Sequence, residues 1–221
     1  MSEPIRVAIL EDHQAIIDGY QFRLSSAPDI RISAVLMHGE EVEPALERQP
    51  VDVLLLDVQV PTGPDNPNPY PIFHMIPTLL ERYPDLAVLV ISMYSQRTLI
   101  QALSETGING YILKDDRTAM IELPAIIRLV HGGGIYFSQA VVKLLRAQPI
   151  ESLLTARQME VLSYCAAYPK ITTTELAQKL NIAQSTVRNL LSGAYLRLDV
   201  SSRSAAILRA YQLGLIFPDQ P

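Results

Sequence analysis

The chain has 221 residues, room for two domains of ordinary size, and 48% of them are hydrophobic, ample for a packed core. Its formal net charge of -5 gives no general pull toward nucleic acid. A single cysteine excludes an intramolecular disulfide, no apolar run nears the ~18 residues that suggest a membrane span, and the N-terminus lacks a signal-peptide pattern, so a soluble, cytoplasmic protein is expected.

The average hides an asymmetry. Residues 1–145 hold 10 Lys/Arg against 18 Asp/Glu, whereas 146–221 hold 8 against 5. An acidic first part and a mildly basic second part point to separate jobs. Along the first part, apolar runs at 7–10, 51–56, 86–91 and 110–113 read as strands buried on both faces, as parallel sheets do. A shorter strand is expected at 31–36. Helical spacing fills the gaps at 14–24, 40–48, a stretch ending near Tyr83, 98–106 and 119–130. This alternation predicts an α/β fold with a parallel sheet and right-handed crossovers. Gly132-Gly133-Gly134 should stop the last of these helices. A short helix at 138–145 and a polar stretch at 146–152 then form a linker. Beyond it the pattern is wholly helical, at 156–168, 174–180, 185–198 and 202–213, and Cys165 falls among apolar positions as a buried structural thiol. The expected division is 1–131, 132–152 and 153–217.

The strands end in chemistry. The first is followed by Glu11-Asp12, the third by Asp57, the fourth by Ser92 and the fifth by Lys114. In an open α/β sheet the ligand crevice lies at the carboxyl ends of the strands, so these groups should converge on one rim. Three clustered carboxylates repel unless a cation neutralises them, and magnesium prefers such oxygen ligands. An Asp beside the ion is a candidate nucleophile toward phosphorus, with Lys114 and Ser92 placed to stabilise phosphoryl charge. A carboxylate after a strand is often only a helix cap, which explains Asp12 or Asp57 singly but not the set.

With the Glu11-Asp12 pair, Asp57 in Leu-Leu-Leu-Asp-Val-Gln-Val-Pro, Ser92, Tyr111 and Lys114, residues 5–130 resemble a response-regulator receiver domain. The resemblance implies a flavodoxin-like, doubly wound sheet of five strands, with Asp57 phosphorylated by a sensor histidine kinase. It implies Mg2+ held by Glu11, Asp12, Asp57 and the backbone carbonyl of Gln59. It also implies a switch pair, Ser92 and Tyr111, in which Tyr111 turns inward and biases the face formed by 98–106, 110–113 and 119–130. One departure is a longer, proline-rich loop at 61–71, a lid or partner contact by position. Another is Pro77 inside the helix that follows, where it should remove a hydrogen bond and kink the axis.

In the second part, Thr155 and Thr172 read as helix caps, and a tight turn at 181–183 joins two short helices as in a helix-turn-helix. With Leu-Thr-Ala-Arg-Gln-Met-Glu-Val-Leu, Thr-Val-Arg-Asn and Ala-Tyr-Gln-Leu-Gly-Leu-Ile, residues 153–216 resemble the LuxR-type output domain of NarL/FixJ-type regulators. The resemblance implies double-stranded DNA as partner. Ser185, Val187, Arg188 and Asn189 would meet bases or backbone, and Lys170, Thr172, Arg197 and Arg203 would meet phosphates. The last helix would offer a homodimer face through Ala205, Ala206, Leu208 and Arg209. Ala183, Ser185 and Leu190 depart from the family's usual capping, basic and histidine residues. They leave an alternative open: a phospho-receiver adaptor acting through protein contacts, with a helical domain that no longer binds DNA.

Overall fold

In the computed structural model, which describes residues 3–146 and 153–216, the first part builds from β1 (Ile5–Leu10), α1 (Gln14–Leu24), β2 (Ile30–Leu36), α2 (Val42–Arg48) and β3 (Val53–Leu56). It continues through β4 (Pro61–Gly63), β5 (Asn66–Pro69), α3 (Ile72–Arg82), β6 (Ala87–Ser92), α4 (Arg97–Ser104) and β7 (Gly110–Leu113). Then come α5 (Arg117–Ile121), α6 (Leu123–His131), β8 (Tyr136–Phe137) and α7 (Gln139–Arg146). The helical part holds α8 (Ala156–Ala167), α9 (Thr173–Lys179), α10 (Gln184–Leu198) and α11 (Arg203–Gln212).

The main sheet has the order β2-β1-β3-β6-β7-β8, and every pairing is parallel. Its two faces follow the strand alternation. Val7, Ile9, Val53, Leu55, Leu89 and Ile112 pack with α1, α5 and α6. Ala8, Leu10, Leu54, Leu56, Val88 and Val90 point the other way, into a cluster with α2, α3 and α4. That second cluster runs on without a break into Leu162, Leu176, Val187, Leu191 and Ala210 of the helical part. The two parts therefore share apolar contact, chiefly where α8 packs on α3 and β5.

Three expectations are corrected. The sheet has six strands instead of five, because Tyr136 and Phe137 pair with Gly110 and Tyr111. The proline-rich loop is an antiparallel hairpin, β4 and β5, with Pro61 opposite Pro69 and Gly63 opposite Asn66. The helix expected over 119–130 is broken in two, since Pro124 lacks an N–H to continue α5 and instead sits in the first turn of α6. Pro77, by contrast, lies within α3 without ending it. Of the expected linker, residues 136–146 form β8 and α7, and α7 packs on α4 and β7. The chain itself thus covers part of the face expected to carry the output signal. Residues 147–152, with Pro149, lie outside the described residues.

The sixth strand depends on one glycine. A Cβ at Gly110 would fall 2.2 Å from the Tyr136 carbonyl oxygen. Gly110→Ala is expected to separate β8 from β7 and cost about 2 kcal/mol by overpacking. Faster amide exchange at Tyr136 and Ser138 together with a lowered Tm would check this; unchanged exchange would contradict it.

Candidate functional site

The pairing register assembles the rim. Leu10 lies opposite Leu56, so Glu11 and Asp57, each one residue further, emerge side by side. Ser92 lies opposite Leu113, which brings Lys114 beside it, and the Lys114 N–H donates to the Ser92 carbonyl at 2.8 Å. The Lys114 ammonium donates to Glu11 Oε2 at 2.6 Å and to Asp57 Oδ2 at 2.7 Å. Glu11 is 1% exposed and Asp57 6%. Two buried carboxylates therefore share a single cation, and one negative charge remains over.

That imbalance appears in the acid–base behaviour. Burial, reinforced by the Asp57 charge and opposed by Lys114, raises the Glu11 pKa. For Lys114, burial works against the charged form, but Asp57 and Glu11 outweigh it and the pKa is raised. The Tyr20 phenol on α1 is likewise pushed up, by burial and then by the charges of Glu11 and Asp57. Asp12 stands at the mouth, partly exposed. His13 Nδ1 lies 2.8 Å from Asp12 Oδ1 and 3.2 Å from Glu11 Oε1. The donor atoms of Glu11, Asp12 and His13 lie within 4.8 Å of one another. Two oxygen-donor acids beside Asp57, with surplus negative charge, fit a small hard divalent cation. The N–H of Gln59 donates to Asp57 Oδ1 at 3.3 Å, placing this residue against the same carboxylate.

Ser92 and Tyr111 are joined through a third residue. Ser92 Oγ accepts the N–H of Tyr94 at 3.1 Å. The Tyr111 hydroxyl donates to the Tyr94 carbonyl at 2.7 Å, and Tyr94 in turn donates its own hydroxyl to the Gln59 side chain. Tyr111 is fully buried. The expected inward turn of this side chain has therefore no travel left. Sequence reasoning missed His13, Met93 and Tyr94, which with Asp57, Gln59 and Lys114 line a cavity of about 130 Å³. Their adjacency to the acid pair and to Ser92 was the available signal.

In the helical part, Thr155 and Thr172 cap α8 and α9 in reciprocal capping boxes with Gln158 and Glu175. Ala183 gives α10 no side-chain cap, but Gln184 Nε2 reaches back to Thr173 and Thr174, at 3.2 and 2.7 Å, and ties the two helices of the turn together. Ser185, Arg188, Asn189 and Arg197 are exposed on α10. Val187 is not a surface contact: it is fully buried and packs in the core. Lys170 and Thr172 are exposed, Thr172 being engaged as a cap. Arg203 is half-buried and donates to the Ile171 carbonyl at 2.5 Å. On α11 the expected dimer face is narrower than predicted, because Ala206 is fully buried within the domain while Leu208 is 59% exposed.

With this geometry in view, the likenesses are specific. Residues 7–125 match the response regulator receiver domain family, and residues 152–210 match the luxR family of bacterial regulatory proteins. The chain is 26% identical over 238 residues to the transcriptional regulatory protein DegU of Brevibacillus brevis, covering 96% of this chain and 95% of that one. It is 27% identical over 221 residues to the probable transcriptional regulatory protein NarL of Mycobacterium tuberculosis, covering 97% of each. Among solved structures it is similar in fold to RcsB of Salmonella enterica serovar Typhimurium bound to a promoter, with a TM-score of 0.62 and 20% identity over 94% of this chain and 98% of that one. No helix among the described residues is long and apolar enough to cross a membrane.

Two outcomes are expected from the shared ammonium. Lys114→Ala leaves two buried carboxylates without their cation and should cost about 3 kcal/mol in denaturant unfolding; a loss near zero would contradict the charge balance. Glu11 tests its sign. Its raised pKa means that the folded state holds the proton more tightly, so its contribution is complete below the ordinary value of 4.5 and lost as pH rises through the raised one. In divalent-free buffer, Glu11→Gln should lose less stability than wild type as pH climbs from that value toward neutrality, and parallel pH profiles would contradict this.

Proposed function

This chain belongs to the response regulator receiver family, and we propose that it accepts a phosphoryl group on Asp57 from a sensor histidine kinase and thereby controls transcription through DNA binding by its luxR-family domain. The observation that carries this reading is the Lys114 ammonium shared between Glu11 and Asp57 at the strand ends. Asp57 Oδ1, whose contact with the Gln59 N–H is the looser of the two oxygens' contacts, is the nucleophile. Its bond to phosphorus forms as the phosphorus–nitrogen bond of the donor phosphohistidine breaks, and the imidazole leaves with a proton. Mg2+, held by Glu11, Asp12, Asp57 and the Gln59 carbonyl, supplies positive charge against the phosphoryl oxygens when bound. Lys114 remains at hand to neutralise a phosphoryl oxygen, since it already contacts the carboxylate that is modified.

The switch follows from the hydrogen bonds of Ser92. A phosphoryl oxygen on Asp57 is a strong acceptor, so it draws the Ser92 hydroxyl, which already holds the Tyr94 N–H. Tyr94 also takes the Tyr111 hydroxyl on its carbonyl and bonds Gln59 through its own hydroxyl, so a pull on Ser92 shifts the segment between β6 and α4. Such a shift changes function only through contacts that differ between the two states. For the helical domain, the exposed Ser185, Arg188 and Asn189 near the start of α10 support major-groove contact, with Lys170 and Arg197 as phosphate contacts. The net charge of this part is small, so non-specific affinity should be modest and strongly salt-dependent. Leu208, exposed on α11, supports a homodimer of the active form.

Footprinting of genomic fragments with and without an acyl-phosphate donor tests the reading. Protection should strengthen on phosphorylation of wild type, and Asp57→Asn should neither incorporate phosphate nor respond to the donor. Phosphorylation without any specific protection would favour the adaptor alternative; incorporation that survives Asp57→Asn would remove the assigned acceptor.

A further inference from the structure

The hairpin formed by β4 and β5 begins four residues after Asp57 and reaches the helical domain. It is stiff by composition: Pro61, Pro64, Pro67 and Pro69 fix φ and remove donors, so little entropy remains to lose on docking. It is also seated firmly on the receiver. Thr62, almost wholly buried, donates to the Asn68 carbonyl at 2.8 Å. Tyr70 just beyond donates its N–H to the Val60 carbonyl at 3.0 Å, and its ring lies against Gly39 so closely that a Cβ there would fall 2.0 Å from it.

The other side of the hairpin meets α8. The last carbonyls of a helix have no partner within it. Here the one at Ala167 accepts the Asn66 side-chain amide at 3.1 Å, so a residue of the receiver caps a helix of the other domain. Beside this bond lies a cleft of about 720 Å³, lined by Asp65 and Pro67 on one side and by Tyr168, Lys170 and Lys179 on the other. One turn further, His74 on α3 donates to Glu160 at 3.0 Å and meets the Tyr164 ring edge-on. A second contact has the same relation to the pocket. Gln96, four residues after Ser92, lies so close to Gly214 that a Cβ on the glycine would fall 2.6 Å from its side chain.

We propose that the β4–β5 hairpin is an interdomain clamp: through Asn66 it grips the C-terminal end of α8 and fixes the orientation of the helical domain on the receiver until events at Asp57 move the hairpin. The recognition face of α10, Lys170 and Lys179 all stay exposed in this arrangement, so the clamp fixes orientation instead of covering the reading surface or the flanking cations. The coupling is short. The Gln59 backbone N–H rests on Asp57 and its side chain accepts the Tyr94 hydroxyl, so both pocket arms meet one residue before Val60 leads into the hairpin.

Asn66→Asp isolates the clamp. Aspartate keeps the two hydrogen bonds that Asn66 Oδ1 accepts from Asn68, and sets an oxygen against the Ala167 carbonyl where a donor stood. Spin labels at Glu81→Cys and Arg209→Cys, in a Cys165→Ala background, give the interdomain distance in the full chain. Wild type should show one narrow distribution, and Asn66→Asp a broadened one with phosphorylation at Asp57 intact. Phosphorylation of wild type should broaden its distribution likewise, and a distribution that the acyl-phosphate donor leaves unchanged although Asp57 is modified overturns the link to the pocket. A narrow distribution retained in Asn66→Asp, and also in a chain whose residues 62–69 are replaced by a Gly-Ser turn, overturns the clamp. The phosphorylation arm rests on the function proposed above and the variant arm does not, so wild type that incorporates no phosphate would mark a failure of that function and not of the clamp.

Discussion

One ammonium set between two carboxylates almost closed to water governs the chemistry of this molecule. Neither acid could be buried alone at tolerable cost, and both can be buried only because Lys114 reaches them together. Burial first, and then the surplus negative charge, draw Glu11 toward its protonated form and push up the Tyr20 phenol as well. Surplus negative charge on oxygen donors of this kind favours a small divalent cation. The cluster exists only because the strands are in register. A slip of one residue between β1 and β3 would turn either Glu11 or Asp57 to the opposite face and dissolve the pocket.

The parts of this structure that were legible in the sequence are those fixed by local pattern. Central parallel strands are apolar on both faces, so their ends are sharply marked, and the polar residue after each end announced itself as Glu11, Asp57, Ser92 or Lys114. What escaped was decided at a distance. Tyr136 and Phe137 make too short a run to read as a strand, and they pair only because Gly110 leaves room across the sheet. The hairpin hid behind its prolines, which ordinarily argue against strands and here are tolerated because a two-stranded ribbon is all edge. Val187 was placed at the DNA surface by its position near the start of α10. The spacing of Val187, Leu191, Ala194 and Leu198 along one helical stripe, all of them buried, held the correct answer.

The pocket and the helical domain are joined by unusually direct means. Two segments that follow reactive groups end in contact with the second domain: the hairpin that begins four residues after Asp57 meets α8 through Asn66, and Gln96, four residues after Ser92, meets Gly214. Between them Tyr94 touches Gln59, Ser92 and Tyr111 at once. A residue bonded to both arms makes it costly for one to move without the other. The interface also carries a buried carboxylate of its own: burial works against the Glu160 charge, but hydrogen bonds from His74 and Arg157 outweigh it and hold the pKa below the ordinary range. The two domains thus meet through apolar packing interrupted by a few polar bonds that either form together or are lost together.

The placement of α7 adds a consequence for the strength this interface needs. Because Arg146 is anchored with α7 on the sheet, and Leu154 is fully buried in the helical domain, only six residues lie between Arg146 and Leu153. A tether this short keeps the domains at an effective concentration of about a millimolar or more. A contact that would dissociate at once between separate molecules is therefore occupied most of the time within this one. At such a concentration a change of about 1–2 kcal/mol, the scale of one or two hydrogen bonds, alters the occupancy of a contact roughly tenfold.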